Sequence, residues 1–179
     1  MKSFFVFDVE SIGLHGGAFA VAGGVYDESG KALREFCYSC PRNACTGTIS
    51  DMEWVNENIP EIEVTHPDSS SMRHDFWGQW NAARQGGAQM WVECGWPVEA
   101  RFLSECVDDD GERIWVYPGP YPLHEIASVM IAAGMDPMAT YDRLPSELPK
   151  HNPLADARQS ARLLAEAFSK LKSDSLAST

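Results

Sequence analysis

The segment from Phe4 to Glu10 changes from a continuous apolar run to an alternation of apolar and acidic residues. A continuous apolar run is typical of a strand that is buried on both faces of a sheet. Side chains alternate along a strand, so Asp8 and Glu10 are predicted on one face, about 6.6 Å apart at roughly 3.3 Å per residue. Such carboxylates repel each other and lose hydration, which indicates a divalent cation with oxygen ligands. The alternative is a strand end whose acids simply face water.

The next apolar segments predict an antiparallel hairpin. Residues 18–26 are rich in small apolar side chains and form the second strand, and residues 31–39 form the third. The turn signal at residues 27–30 joins them.

Residues 41–88 are less regular, and we interpret them as a helical insert. Its predicted helices cover residues 49–58 and 75–84, with a loop at residues 67–71 between them. Trp77 and Trp80 lie at helical spacing, which favours core packing over base stacking.

Strands and helices alternate over the rest of the chain. The predicted elements are strands at residues 89–93 and 113–117 and helices at residues 97–107, 123–133 and 153–172, with a flexible tail at residues 173–179. This order predicts one domain over residues 1–172, in which helices cover a mixed sheet.

Composition and charge narrow the class of protein. The 179 residues carry a formal net charge of −12, which is unfavourable for binding duplex DNA through many phosphates. It is compatible with an enzyme that handles a few nucleotides at a strand end, where bound cations supply positive charge. No apolar run reaches the 18 or more residues of a membrane span, so we expect no membrane partner.

The five cysteines bear on location and on zinc. They are odd in number and irregularly spaced, which argues against a disulfide framework and for a reducing compartment. No secretory signal is visible at the N-terminus, so a cytoplasmic location is expected. Cys37, Cys40 and Cys45 resemble part of a zinc site, but no fourth ligand lies nearby in the sequence, and zinc is not favoured.

A second chemical region lies at residues 151–158. Pro153 marks a helix start, which puts Asp156 in the first turn, where the helix dipole favours a carboxylate. His151 lies in the loop just before, so both side chains can reach one cleft. Taken alone, such a pair is more often a capping or surface arrangement than a chemical site.

Together the two regions resemble the DEDDh family of 3′–5′ exonucleases, the DnaQ-like branch of the ribonuclease-H-like fold. That family carries Asp-x-Glu on its first strand, matched by Asp8 and Glu10, and His-x₄-Asp at its last helix, matched by His151 and Asp156. Its middle motif has an aspartate where this chain has Glu99, followed by a matching apolar pair. Glu93, at the end of the preceding strand, is the rival for this middle position.

The resemblance implies an α/β, ribonuclease-H-like fold with a mixed five-stranded sheet, antiparallel in the first three strands and then parallel. It implies two Mg²⁺ or Mn²⁺ ions held by Asp8, Glu10, Glu99 and Asp156, with His151 taking a proton from the attacking water. The implied substrate is the single-stranded 3′ end of DNA or RNA, which is shortened to 5′-mononucleotides. The terminal base would contact Leu14 and His15.

Four basic residues lie near these motifs: Arg101, Arg143, Lys150 and Arg158. Each is open to two interpretations, as a phosphate contact or as a solvated surface charge. Two rival functions also stay open, a non-catalytic ribonuclease-H-like module that binds nucleic acid or a polymerase, and a phosphodiesterase for very short oligonucleotides. The oligomeric state stays open as well, a homodimer included.

Overall fold

One mixed sheet organises the chain. A computed structural model describes residues 3–110 and 120–177, with side chains as far as residue 173. The strands are β1 (Ser3–Ser11), β2 (Ala18–Asp27), β3 (Ala32–Ser39), β4 (Gln89–Val92) and β5 (Leu123–Glu125). Their order is β3-β2-β1-β4-β5, so β1 lies in the middle. It pairs antiparallel with β2 and parallel with β4. The predicted fold class is therefore confirmed.

Five helices flank this sheet in the described part of the chain. They are α1 (Ile49–Asn58), α2 (Ser69–Gln85), α3 (Val98–Asp109), α4 (Ile126–Ala132) and α5 (Pro153–Ala177). Two 3₁₀ turns lie at Arg42–Ala44 and Pro145–Glu147. None of the helices in the described ranges is long and apolar enough to cross a bilayer.

The two faces of β1 pack against different helices. Phe5 and Phe7 belong to a core cluster with aromatic residues of α2 and α3, including Phe76 and Phe102. Phe4 and Val6 belong to a second cluster; its other members include Trp91, Ile126, Met130 and Leu164 on β4, α4 and α5. Burying each large side chain stabilises the fold by about 1.5–3 kcal/mol. The central strand is thus fixed from both sides before its acidic end begins.

Close packing of β1 against β2 depends on a small residue. A Cβ atom at Gly23 would lie 2.3 Å from the Val6 carbonyl oxygen. A larger residue would force the two strands apart, because backbone atoms cannot yield as a flexible side chain does.

The structure differs from several of the predicted elements. Helix α2 begins at Ser69 instead of residue 75, because the Asp68 side chain accepts the Ser71 N–H at 2.8 Å and caps the helix. The expected loop at residues 67–71 is therefore partly helical.

The segment predicted as a helix from residue 123 begins as a strand. Leu123–Glu125 pairs with β4, and the helix starts only at Ile126. The backbone hydrogen bonds available at this sheet edge outweigh a periodicity that suits either structure. The predicted strand at residues 113–117 lies outside the described residues. Helix α5 continues to Ala177, beyond its predicted end at residue 172.

Tryptophans 77 and 80 lie in the core, as the helical spacing predicted. Trp77 is 3% and Trp80 0% exposed. Their rings stack on each other with centroids 6.0 Å apart. Neither presents a face for a nucleobase.

Candidate active site

The acidic ends of β1 and β4 open into a cleft beside the start of α5. The cleft has a volume of about 370 Å³. It is lined by Asp8, Glu93, Pro137, Ala139, Thr140, Tyr141, Arg143, Lys150, His151, Asp156, Gln159 and Leu163. Ligands in an open α/β sheet usually bind outside the carboxyl ends of the strands, where the strand order reverses. Here the order β3-β2-β1-β4-β5 reverses between β1 and β4.

Strand alternation carries Asp8 and Glu10 to the α5 side of the sheet. They continue the face of Phe4 and Val6, which packs against α5. The two carboxylates thus share a face, as the alternation predicted, and the structure places them toward the beginning of that helix.

The start of α5 supplies the other partners. The Asn152 side chain accepts the Ala155 N–H at 3.2 Å and so caps the helix. Asp156 follows in the first turn. His151 precedes the cap with a φ of 58°, a left-handed backbone conformation that is uncommon outside glycine and marks functional or turn positions.

The residues of the two motifs meet in space. One ligand atom from each of Glu10, His151 and Asp156 lies within 4.8 Å of the other two. The sequence separates Glu10 from His151 by most of the chain, so the fold itself brings them together. This is a spacing in which the three side chains can share a cation or a water molecule.

The carboxyl groups of the cleft have raised pKa values. Burial raises the pKa of Asp8 well above its usual range, and repulsion from Glu10, Glu99, Asp156 and Glu93 raises it further. Burial, followed by repulsion from Asp156 and Glu99, raises the pKa of Glu10 from 4.5 to about 8, although Arg42 partly opposes this. A cation bound beside such carboxyl groups would favour their ionised form and so lower their pKa values.

Glu99 and Glu93 both border this cluster. Burial raises the pKa of Glu99 to about 7, and Glu93 adds repulsion, while hydrogen bonds from its own backbone and that of Val9 oppose the rise. The influence of the Val9 backbone on this pKa indicates that the Glu99 carboxyl lies near β1, the strand that carries Asp8 and Glu10. Glu93 instead accepts a hydrogen bond from the Ser160 hydroxyl at 3.1 Å.

The donor set suits a hard divalent cation. The acidic groups of the cluster offer only carboxylate oxygens, which Mg²⁺ and Mn²⁺ prefer, and His151 adds one imidazole. Repulsion among the carboxylates is the force that such a cation would relieve. Asp8, Glu10, Glu99 and Asp156 are therefore a chemically suitable set.

The four basic residues near the motifs have different partners. Arg143 lies against Asp156 inside the cleft, with only 15% of its side chain exposed, so it is no solvated surface charge. Arg101 donates to the Gly16 carbonyl. Arg158 pairs with Glu35 at 2.7 Å. Lys150 lines the cleft.

The loop that carries Leu14 and His15 is held at several points. Ser11 Oγ donates to the Gly13 carbonyl at 2.7 Å, and the Gly17 N–H donates to the Thr46 carbonyl at 2.6 Å. Leu14 is 62% exposed at this loop. Its role in holding a terminal base stays a prediction.

Trp54 is a candidate active-site residue that the sequence analysis did not identify. Its ring meets the His151 ring edge to face, with centroids 5.8 Å apart and an interplanar angle of 77°. Half of Trp54 is exposed. Trp54 lies on α1, in the insert. No pattern in the sequence indicated that it would contact His151, which lies almost one hundred positions further along the chain.

Two of the cysteines lie close together, with the sulfur atoms of Cys40 and Cys45 3.7 Å apart. Among the described residues, however, the group of three potential metal ligands consists of Glu10, His151 and Asp156, with no cysteine.

Comparison with known proteins gives a structural likeness. The mixed five-stranded sheet and its flanking helices have a ribonuclease-H-like fold. A solved structure of exonuclease I is similar to 97% of this chain, with a TM-score of 0.61 and 12% sequence identity. The chain spans 44% of the length of that protein. No family model and no curated protein sequence matches. The resemblance that the motifs indicated is thus confirmed at the level of the fold.

Proposed function

We propose that this chain is a metal-dependent 3′–5′ exonuclease of the DEDDh type that acts on single-stranded ends. The observation that carries the proposal is the meeting of Glu10, His151 and Asp156 within 4.8 Å on this fold. Asp8 and Glu99 extend the same acidic cluster. The likeness to exonuclease I supports a nuclease, and the motifs support the direction and subtype.

The residues of the cleft have separate roles in this reaction. Asp8, Glu10, Glu99 and Asp156 would hold Mg²⁺ or Mn²⁺, with Glu99 favoured over Glu93 because it raises the pKa of both Asp8 and Glu10. The bound cations would supply the positive charge that stabilises the attacking and leaving oxygens of an in-line displacement. His151 is exposed at the cleft and would take the proton from the attacking water. The 3′ oxygen of the penultimate nucleotide leaves, and a 5′-mononucleotide is released.

The experiment uses end-labelled DNA and RNA oligonucleotides with Mg²⁺, with Mn²⁺ and with chelator. We expect stepwise shortening from the 3′ end, only with metal, and 5′-mononucleotides as products. A blocked 3′ end should protect the substrate, and a blocked 5′ end should not. Cuts inside a circular single strand would contradict the proposal and indicate an endonuclease.

A second candidate is a phosphodiesterase for very short oligonucleotides. The net charge of −12 favours it, because a long anionic strand would be repelled along its length. Rates on substrates from two to about twenty nucleotides separate the two functions. A rate that falls steeply with length supports the short-substrate enzyme, and a rate that is level or rises supports the general exonuclease.

A further inference from the structure

Arg143 contacts a carboxylate that the proposed reaction needs for metal. Its Nη1 donates to Asp156 Oδ1 and also, at 2.9 Å, to the Glu147 backbone carbonyl. The two side chains are 15% and 14% exposed. An ion pair with so little exposure is weakly screened, so its partner strongly influences what else can bind there.

The segment that carries Arg143 is anchored independently of this contact. Glu147, which is 2% exposed, accepts two hydrogen bonds from Arg162 on α5, at 2.7 and 2.9 Å. It also accepts the Leu144 N–H at 3.0 Å. The side chain of Arg143 can therefore change partners without release of the loop.

The Arg143 guanidinium and a divalent cation would compete for the negative charge of the Asp156 carboxylate. Asp156 belongs to the cluster with Glu10 and His151, and Arg143 already neutralises one of its oxygens. Two positive charges a few ångströms apart repel each other, so metal at Asp156 weakens this ion pair. Arg143 lines the same cleft as Asp8, His151 and Asp156. Its planar guanidinium suits phosphate oxygens.

We infer that Arg143 is a phosphate-binding residue that exchanges partners. It holds Asp156 when no metal is bound and turns to the substrate phosphate once metal occupies the cleft. This inference rests on the proposed function, and it assigns Arg143 a role that the motifs do not give it.

The first measurement is Mn²⁺ affinity by isothermal titration calorimetry, with no substrate present. Arg143→Gln removes the competing charge and should bind Mn²⁺ about tenfold more tightly than the parent. Arg143→Lys keeps the charge, so its Mn²⁺ affinity should stay near that of the parent. Arg73→Gln is the matched control, because Arg73 is 13% exposed and paired with Glu105 and Asp109 on α3.

The second measurement uses the Mn²⁺-loaded proteins and a product that is not turned over. A nucleoside 5′-monophosphate, in ribo and deoxyribo forms, is compared with the matching nucleoside, so that the difference reports the phosphate. Arg143→Gln and Arg143→Lys should each lose about tenfold of this difference, since neither retains the planar fork. Arg73→Gln should lose none.

Opposite changes in Arg143→Gln, tighter metal and weaker phosphate, support the inference. Unchanged or weaker Mn²⁺ binding overturns it, as does an unchanged phosphate difference, because a fixed structural ion pair predicts these results. Unfolding midpoints of all variants exclude misfolding as the cause. Failure of the proposed function would show in the parent, as Mn²⁺ binding without oligonucleotide cleavage, whereas failure of this inference shows only in the variants.

Discussion

The two faces of β1 differ in how far along the strand their side chains remain apolar. On one face Phe5, Phe7 and Val9 are all buried in the core with α2 and α3. On the other face Phe4 and Val6 are followed by the acidic positions 8 and 10, which turn to the cleft. One strand therefore serves as a core element along one side and as the base of a reactive site along the other.

The difference shows how a site of high negative charge can be held in place. The apolar face keeps the strand rigid, so the repelling carboxylates cannot separate by moving the backbone. Burial, and then this repulsion, raises the pKa values of Asp8 and Glu10 instead. Substitutions on the acidic face should consequently lower activity, and substitutions on the apolar face should lower stability.

The largest expected effect is on the acidic face. Asp8→Ala should lower the cleavage rate by at least about 1000-fold, or roughly 4 kcal/mol in the barrier at 1.36 kcal/mol per decade. The metal-free protein should keep its unfolding free energy, because the change removes a repelling carboxylate. Single-turnover cleavage and urea unfolding in chelator measure both. Activity within about tenfold of the parent would contradict the assignment of Asp8 to the metal site.

On the apolar face the effect should be on stability. Phe7 is 1% exposed and packs on Phe76 with ring centroids 5.1 Å apart. Phe7→Ala should lower the unfolding free energy by about 3–5 kcal/mol in urea. The fraction that remains folded should still bind Mn²⁺. Retained stability in this variant would mean that the core does not hold the strand as we describe.

The sequence predicted the parts of this comparison that depend on local pattern. Alternation along β1 predicted the shared face of Asp8 and Glu10, and Pro153 predicted where α5 begins. The spacing of His151 and Asp156 on either side of that start allowed both side chains to reach one cleft, and in the structure both line it.

Contacts made across the fold were beyond such patterns. An arginine in a loop gives the same sequence signal whether it is solvated or, like Arg143, paired with Asp156. Trp54 meets His151 only because the insert folds back onto the start of α5. The strand Leu123–Glu125 exists because β4 offers an edge for pairing, and three residues are too few for a periodicity.

The next prediction tests which glutamate completes the acidic face. Glu99→Gln keeps the volume and removes the charge, so it should slow cleavage at saturating Mg²⁺ by about 100-fold, or roughly 2.7 kcal/mol. Glu99→Asp should retain part of the activity, because it keeps the charge on a shorter side chain. Glu93→Gln is the matched control and should be mild. The reverse order in a single-turnover experiment would move the middle carboxylate from α3 to the end of β4.

The acidic face should also make the metal-free protein sensitive to pH. The pKa of Glu10 is raised from 4.5 to about 8 and that of Glu99 from 4.5 to about 7. Between pH 4.5 and about 8 the folded protein therefore binds more protons than the unfolded chain. The unfolding free energy falls as pH rises through this window.

Urea unfolding in chelator across this window measures the slope, and Glu10→Gln should reduce it. Saturating Mg²⁺ should flatten it, because the cation stabilises the ionised carboxylates of the folded protein. A metal-free protein that became more stable with rising pH would show that the carboxylates are compensated by another group.

The smallest expected effect concerns Trp54, which contacts the acidic site from outside the sheet. An edge-to-face aromatic pair contributes about 0.5–1.5 kcal/mol, so Trp54→Ala should lower kcat/KM by up to about tenfold. Trp54→Phe keeps a ring against His151 and should recover most of this loss. If the ring serves to orient His151, the loss falls on kcat. If it serves to stack a nucleobase, the loss falls on KM. Equal activity of Trp54→Ala and the parent would show that the contact with His151 has no part in the reaction.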